Sequence, residues 1–147
     1  MMAARALLGH LDVSVGPSDR QVRITWLSIG GLLLAAVLAV AGGLPFDLPM
    51  PTHLVGWVDP TCGLTRGSTA IARGDMGLAW RYNPASFAVM GFGLLGLLRA
   101  AVGFLAGRWV NFEARVGPLG WAVFLVVIVL LGLHQQSNAQ FVMDARL

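Results

Sequence analysis

The chain contains no lysine and a single cysteine, and charge of either sign is scarce. One cysteine, Cys62, excludes an internal disulfide and a Cys-x-x-Cys redox centre, so this chain alone cannot run dithiol chemistry. Charged residues make up 12% of the 147 residues, about half the share usual in soluble domains. Hydrophobic residues make up 56% and the mean hydropathy is +0.73, with the apolar residues gathered in long unbroken runs. That pattern excludes an ordinary soluble domain and specifies a multi-pass membrane protein. The basic residues are all arginine and give a net charge of +3, but they stand singly around the apolar runs. Such placement suits membrane topology and anionic headgroups, not nucleic acid. No nucleotide-binding loop or strong metal motif is present, and no cofactor is expected.

Three runs are long enough to cross a bilayer: about residues 24–43, 84–107 and 118–134. The last two open on Asn83-Pro84 and Gly117-Pro118, where proline suits the first helical position. The expected fold is therefore all-α, with three transmembrane helices and a helical, interfacial or re-entrant loop between the first two. Residues 1–23 form an N-terminal tail, and 24–147 a single membrane domain. In the tail, Met1, Ala4, Leu7, Leu8 and Leu11 fit one face of a short helix, and a frayed segment is the alternative. Ala39-Val40-Ala41 has the small-x-small form of a signal cleavage site, but the polar region before the run is long, and an uncleaved span is expected. Arg5, Arg20, Arg23, Arg99, Arg108 and Arg115 fall on the side of the N-terminus. Arg66, Arg73, Arg81 and Arg146 fall on the other. This bias favours a cytoplasmic N-terminus, with the 56–83 loop and the C-terminus outside.

Small residues suggest how the spans pack. Gly31, Ala35, Ala39 and Gly43 form a stripe on the first, and Gly96, Ala100, Gly103 and Gly107 offer a matching surface on the second. The bulky run from Phe124 to Leu131 suits lipid or a partner. Arg99, the one charge inside a span, is expected to snorkel to the nearby interface; the competing expectation is a buried ion pair with Glu113 or another subunit.

The 56–83 loop carries the most chemistry. A short helix is expected from Thr65 to Arg73, capped by Thr65 or Thr61 and stopped by Gly74; Asp75 then caps a second, Met76 to Tyr82. Its sequence, "PTCGLTRGSTAIARGD" followed by "AWRYNP", resembles the small bacterial membrane proteins grouped as domain-of-unknown-function family 2752. That family's pattern is Cys-Pro-x-Cys-Gly-[Leu/Met]-Thr-Arg, a short helix ending in Gly-Asp, and Asn-Pro at the next span. Cys62, Gly63, Leu64, Thr65 and Arg66 match its core, and Gly74, Asp75, Asn83 and Pro84 its tail. The family's first cysteine is Asp59 here, so no thiol pair carries over. The resemblance implies no reaction.

Several uses compete for the loop. His53, Asp59 and Cys62 are competent metal ligands, but a three-member set needs completion by another molecule. Cysteine catalysis needs a base, and only His53 or His134 is available. Thr65 and Arg66 at a helix N-terminus suit a lipid headgroup or other anion; alternatively Arg66 pairs with Asp59 or Asp75 and locks the loop. The expected function is a non-catalytic accessory or scaffold subunit of a bacterial inner-membrane complex, with membrane lipids and another membrane protein or a second copy as partners. Lipid-headgroup or anion binding is the second expectation, and a metal or thiol site the third.

Overall fold

The computed structural model describes residue 7, residues 9–41 and residues 56–144. Three helices in it are long and apolar enough to span a membrane: α1 (Val22–Ala41), α4 (Ala85–Ala106) and α5 (Pro118–Ser137). Two short helices, α2 (Leu64–Ala72) and α3 (Met76–Tyr82), fill the loop between the first two, and α6 (Ala139–Asp144) follows the last. The expected helical architecture is therefore the one found, with a small sheet in addition.

That sheet corrects the view of the tail. Gly9–Gly16 is a strand, β1, paired antiparallel with β2 (Trp109–Val116) between α4 and α5. Of the expected helical face, Met1, Ala4 and Leu8 lie outside the described residues, Leu7 is helical, and Leu11 lies in the strand. Alternation explains the strand: Leu11, Val13 and Val15 alternate with His10, Asp12 and Ser14, which is strand periodicity. A tail alone cannot hold such a strand; it needs the partner that the connection between α4 and α5 supplies.

α1 and α4 pack together as the small residues suggested, but along a shifted stripe on α1. Its buried residues are Thr25, Ser28, Ala35 and Leu38, while Gly31 is exposed and Gly43 lies outside the described residues. On α4, Gly96 and Ala100 are buried as expected, Gly103 is buried against the Trp109 ring of β2 instead of α1, and Gly107 ends the helix in a left-handed conformation, φ 64°. A Cβ on Gly96 would lie 2.0 Å from the Ser28 hydroxyl, so the contact tolerates no side chain there. α5 differs from both: across residues 118–130 every residue except Gly120 and Ile128 is exposed.

Arg99 does not snorkel. Its guanidinium meets Asp19 at 2.6 Å, with side-chain exposures of only 9% and 10%. It also donates to Thr25 Oγ1 (2.8 Å), Gln21 Oε1 (2.9 Å), Asn111 Oδ1 and the Val110 carbonyl. The ion pair is thus buried, and its acid is Asp19 instead of Glu113, which sits near Arg20 at 3.8 Å on the surface. A guanidinium has five donors in a planar fork, and this cluster gives it five acceptors, which offsets its desolvation. Burial alone would raise the Asp19 carboxyl, but hydrogen bonds from Arg99, Thr25 and Gln21 outweigh it and hold the pKa below the usual range. The cluster ties the N-terminal segment, α1, α4 and β2 together at one end of the spans.

Candidate functional site

The motif loop gathers at the opposite end, and its geometry follows from local rules. Asp59 opens a tight turn: its Oδ1 accepts from Thr61 N (2.7 Å) and Thr61 Oγ1 (2.5 Å), and its carbonyl accepts from Cys62 N (3.1 Å). Gly63 follows at φ 74°, where a Cβ would stand 2.7 Å from the Tyr82 carbonyl oxygen. The glycine therefore meets two demands, a left-handed backbone and close approach to the end of α3. α2 begins at Leu64 with Gly63 at its cap, and no side chain caps it. Thr65 thus lies inside the first turn, one correction to the expected capping. Thr61 is spent on Asp59.

The turn between α2 and α3 is as the Gly74-Asp75 pair suggested. Gly74 N donates to Ile71 O (2.9 Å) and Asp75 N to Ala70 O (2.9 Å), the paired bonds of a Schellman cap. Asp75 Oδ1 then accepts from Leu78 N at 2.9 Å and starts α3. Gly67 lets α2 approach α4, since a Cβ there would lie 2.7 Å from Ser86 Oγ.

Asn83 is the hub. It is fully buried, and its Nδ2 donates to the carbonyls of Pro60 and Cys62, both at 2.9 Å. Its Oδ1 accepts from Ala85 N at 2.9 Å, which caps α4 as expected, with Pro84 already helical at φ −58°. Its backbone carbonyl accepts from Ser86 Oγ at 2.6 Å. One carboxamide therefore fastens the Cys62 turn to the start of a span. That accounts physically for the distance between the two halves of the motif.

The arginines cap helix ends. Arg73 Nε donates to Ala39 O (2.9 Å) at the C-terminal end of α1, where cations are favoured. Arg66 Nη1 donates to the Val142 carbonyl of α6 at 2.7 Å. Among the described residues, neither Asp59 nor Asp75 forms an ion pair, so the expected Arg66 lock to those acids gives way to a bond with the C-terminal helix. Arg81 lies over the Phe141 ring, 4.1 Å from its centre.

Three consecutive residues at the end of α5 complete the site, and sequence reasoning missed two of them. His134 Nε2 lies 3.1 Å from the Trp80 carbonyl, and buried Gln135 donates to the Tyr82 carbonyl at 2.8 Å. Gln136 accepts from Val58 N (3.2 Å) and donates to Gly56 O (3.1 Å). Two amides directly after an apolar span were the available signal, because such groups close backbone bonds that lipid cannot.

The cysteine is quiet. Cys62 is half-buried and its Sγ lies 3.0 Å from Asp59 Oδ2. Burial and then the neighbouring carboxylate push its pKa up to about 11. Burial also raises Asp59, but hydrogen bonds from Thr61 and Cys62 prevail and hold it low, so the shared proton stays on sulfur. A protonated thiol is a weak nucleophile and a poor metal ligand. His53, the third proposed ligand, lies outside the described residues, and among those described no three His, Cys, Asp or Glu side chains gather. His134, the other proposed base, is engaged with Trp80 through both a ring contact and the carbonyl.

Fold and site together define a three-span membrane protein with a helical cap closing one end of the bundle. Residues 51–95 match the family model described as Protein of unknown function (DUF2752), the family that the motif resembles. The match covers the turn, α2, α3 and the first half of α4, the part organised around Asn83. No curated protein and no solved structure matches the chain.

Proposed function

We propose that the chain is a non-catalytic accessory or scaffold subunit of a membrane protein complex in the bacterial plasma membrane. The observation that carries the proposal is α5: its first three turns present Leu119, Trp121, Phe124 and Leu125 outward and bury almost nothing against their own chain. Its last turn, by contrast, is fixed by His134, Gln135 and Gln136. A helix held rigidly at one end with a free apolar flank suits docking of another membrane helix. Among the described residues, polar side chains of the cap such as Asp59, Asn83 and Gln136 bond to their neighbours and the backbone, which suits a structural role. The arginine bias favours the sheet on the cytoplasmic side and the cap outside.

A second function, lipid binding, is favoured by an apolar groove of about 140 Å³ between α1, α2 and α4. Leu34, Leu38 and Val89 line it, and the Thr65 and Ser68 side of α2 forms its rim. Native mass spectrometry after extraction in mild detergent tests both. A stoichiometric protein partner supports the scaffold role, and a bare monomer counts against it. Phospholipid that co-purifies and is lost when Val89→Trp fills the groove supports lipid binding.

A further inference from the structure

The β1–β2 ribbon has an apolar face that its surroundings leave largely open, with only Val110 and Phe112 partly covered. In the antiparallel register, Leu11 pairs with Ala114, Val13 with Phe112 and Val15 with Val110, and directly paired residues share a face. Every residue on that face is apolar. The opposite face holds His10, Asp12, Ser14, Asn111, Glu113 and Arg115, with the Gly16–Trp109 pair at its root. At its root this face meets α4, where Asn111 is buried beside Arg99; farther along it is open, with the Asp12 and Glu113 side chains 75% and 74% exposed. Leu11, Val13 and Val15 are each more than half exposed.

Covalent geometry fixes where the ribbon sits. β2 is joined to α4 through Gly107 and Arg108, and to α5 through Gly117. Both its ends are therefore within two residues of spanning helices, and its eight residues reach roughly 26 Å. Trp109 packs against Gly103 and Phe104, three and two residues short of the end of α4. At about 1.5 Å per residue, the Trp109 ring lies about 3–5 Å inside the helix end, and Arg99 of α4 donates to the Val110 carbonyl, so the start of β2 folds back beside the helix. The root of the ribbon thus lies beside the last turns of a span, and the ribbon beyond it presents an apolar face and an open polar face on opposite sides. Arg20, Arg23, Arg108 and Arg115 lie on or next to it against Asp12 and Glu113, an excess of positive charge that suits an anionic leaflet.

We propose that the Leu11, Val13, Val15, Val110, Phe112 and Ala114 face is an interfacial anchor that rests in the headgroup–acyl boundary of an anionic phospholipid leaflet. The test uses the full chain in the Cys62→Ser background, reconstituted as monomers into nanodiscs of phosphatidylcholine with phosphatidylglycerol. Single cysteines, Val13→Cys on the apolar face and Asp12→Cys on the polar face, carry a polarity-sensitive fluorophore. The expected result is a blue-shifted Val13 signal, quenched several-fold more by a lipid with a nitroxide high on its acyl chain than the Asp12 signal is. Iodide in the water should quench with the reverse preference. Equal iodide quenching at both positions overturns the proposal by placing the face in water. Shielding of Val13 from both quenchers overturns it by showing protein cover. Leu11→Cys repeats the measurement should Val13→Cys fail to fold.

Discussion

Asn83 and Cys62 lie 21 residues apart, yet the carboxamide of one donates to the backbone carbonyl of the other at 2.9 Å. The same nitrogen holds Pro60 O, so the turn carrying the cysteine is bolted to the first residues of a membrane span. The arrangement makes the loop a lid of fixed geometry.

Removing that bolt should loosen the cap. Asn83→Ala leaves the Pro60 and Cys62 carbonyls and the Ala85 N–H without partners, a loss of about 2 kcal/mol or more. Asn83→Asp keeps the acceptor for Ala85 but loses the donors, and should stabilise no better than alanine. Thermal unfolding in detergent, followed by circular dichroism, measures both; an unchanged midpoint would contradict the hub role.

The Arg99–Asp19 pair should be costly to break from one side. Arg99→Met strands a buried carboxylate and should cost roughly 3 kcal/mol. Arg99→Lys should recover only part, because one ammonium cannot serve the five acceptors that the guanidinium meets. Because the Asp19 pKa is depressed, its stabilising contribution is present above the ordinary carboxyl range and disappears as pH falls through the folded value. Unfolding midpoints should therefore drop in acid for the native chain, and much less so for Asp19→Asn.

Cys62 should react slowly. With a pKa near 11 instead of 9.0, its thiolate fraction at neutral pH is about a hundredfold below that of an ordinary cysteine, and alkylation should slow to match. Asp59→Asn removes the second cause of the shift and should speed alkylation while leaving the burial effect. The folded state holds the proton more tightly than the unfolded chain, so stability should fall as pH rises from about 9 to about 11. Alkylation rates across pH, read by mass spectrometry, decide the first point, and denaturation curves the second.

The Asp59 carboxylate and the Cys62 sulfur already lie 3.0 Å apart across a closed turn. Asp59→Cys should therefore oxidise readily to an intramolecular disulfide, a loss of two hydrogens seen by intact mass. Persistence of two free thiols under mild oxidant would show that the turn cannot close.

Close packing of α1 on α4 yields a sharper mutational pair. Gly96→Leu collides with Ser28 and should separate the helices, whereas Gly96→Ala combined with Ser28→Gly opens the space that the new Cβ needs and should retain the pairing. Cysteine crosslinking between the two spans reads the difference.

Much of this molecule was legible in its residues. Long apolar runs dictated three spans, because only a helix satisfies its own backbone in lipid. Gly74 and Asp75 dictated a stop and a restart, and Asn83-Pro84 a helix entry, because those are local backbone demands. Gly96 and Ala100 marked a close helix contact for the same kind of reason. The tertiary structure alone decided the rest. Arg99 could equally reach water or an acid until the strand pair brought Asp19 and Asn111 beside it. The tail became a strand only because β2 lay ready to pair with it. Arg66 went to the C-terminal helix, and Gln135 and Gln136 took up the loop backbone, because the end of α5 returns to the cap. Those are partnerships between segments distant in sequence, and hydrogen-bonding capacity specifies that a partner must exist without specifying which one folding will bring near.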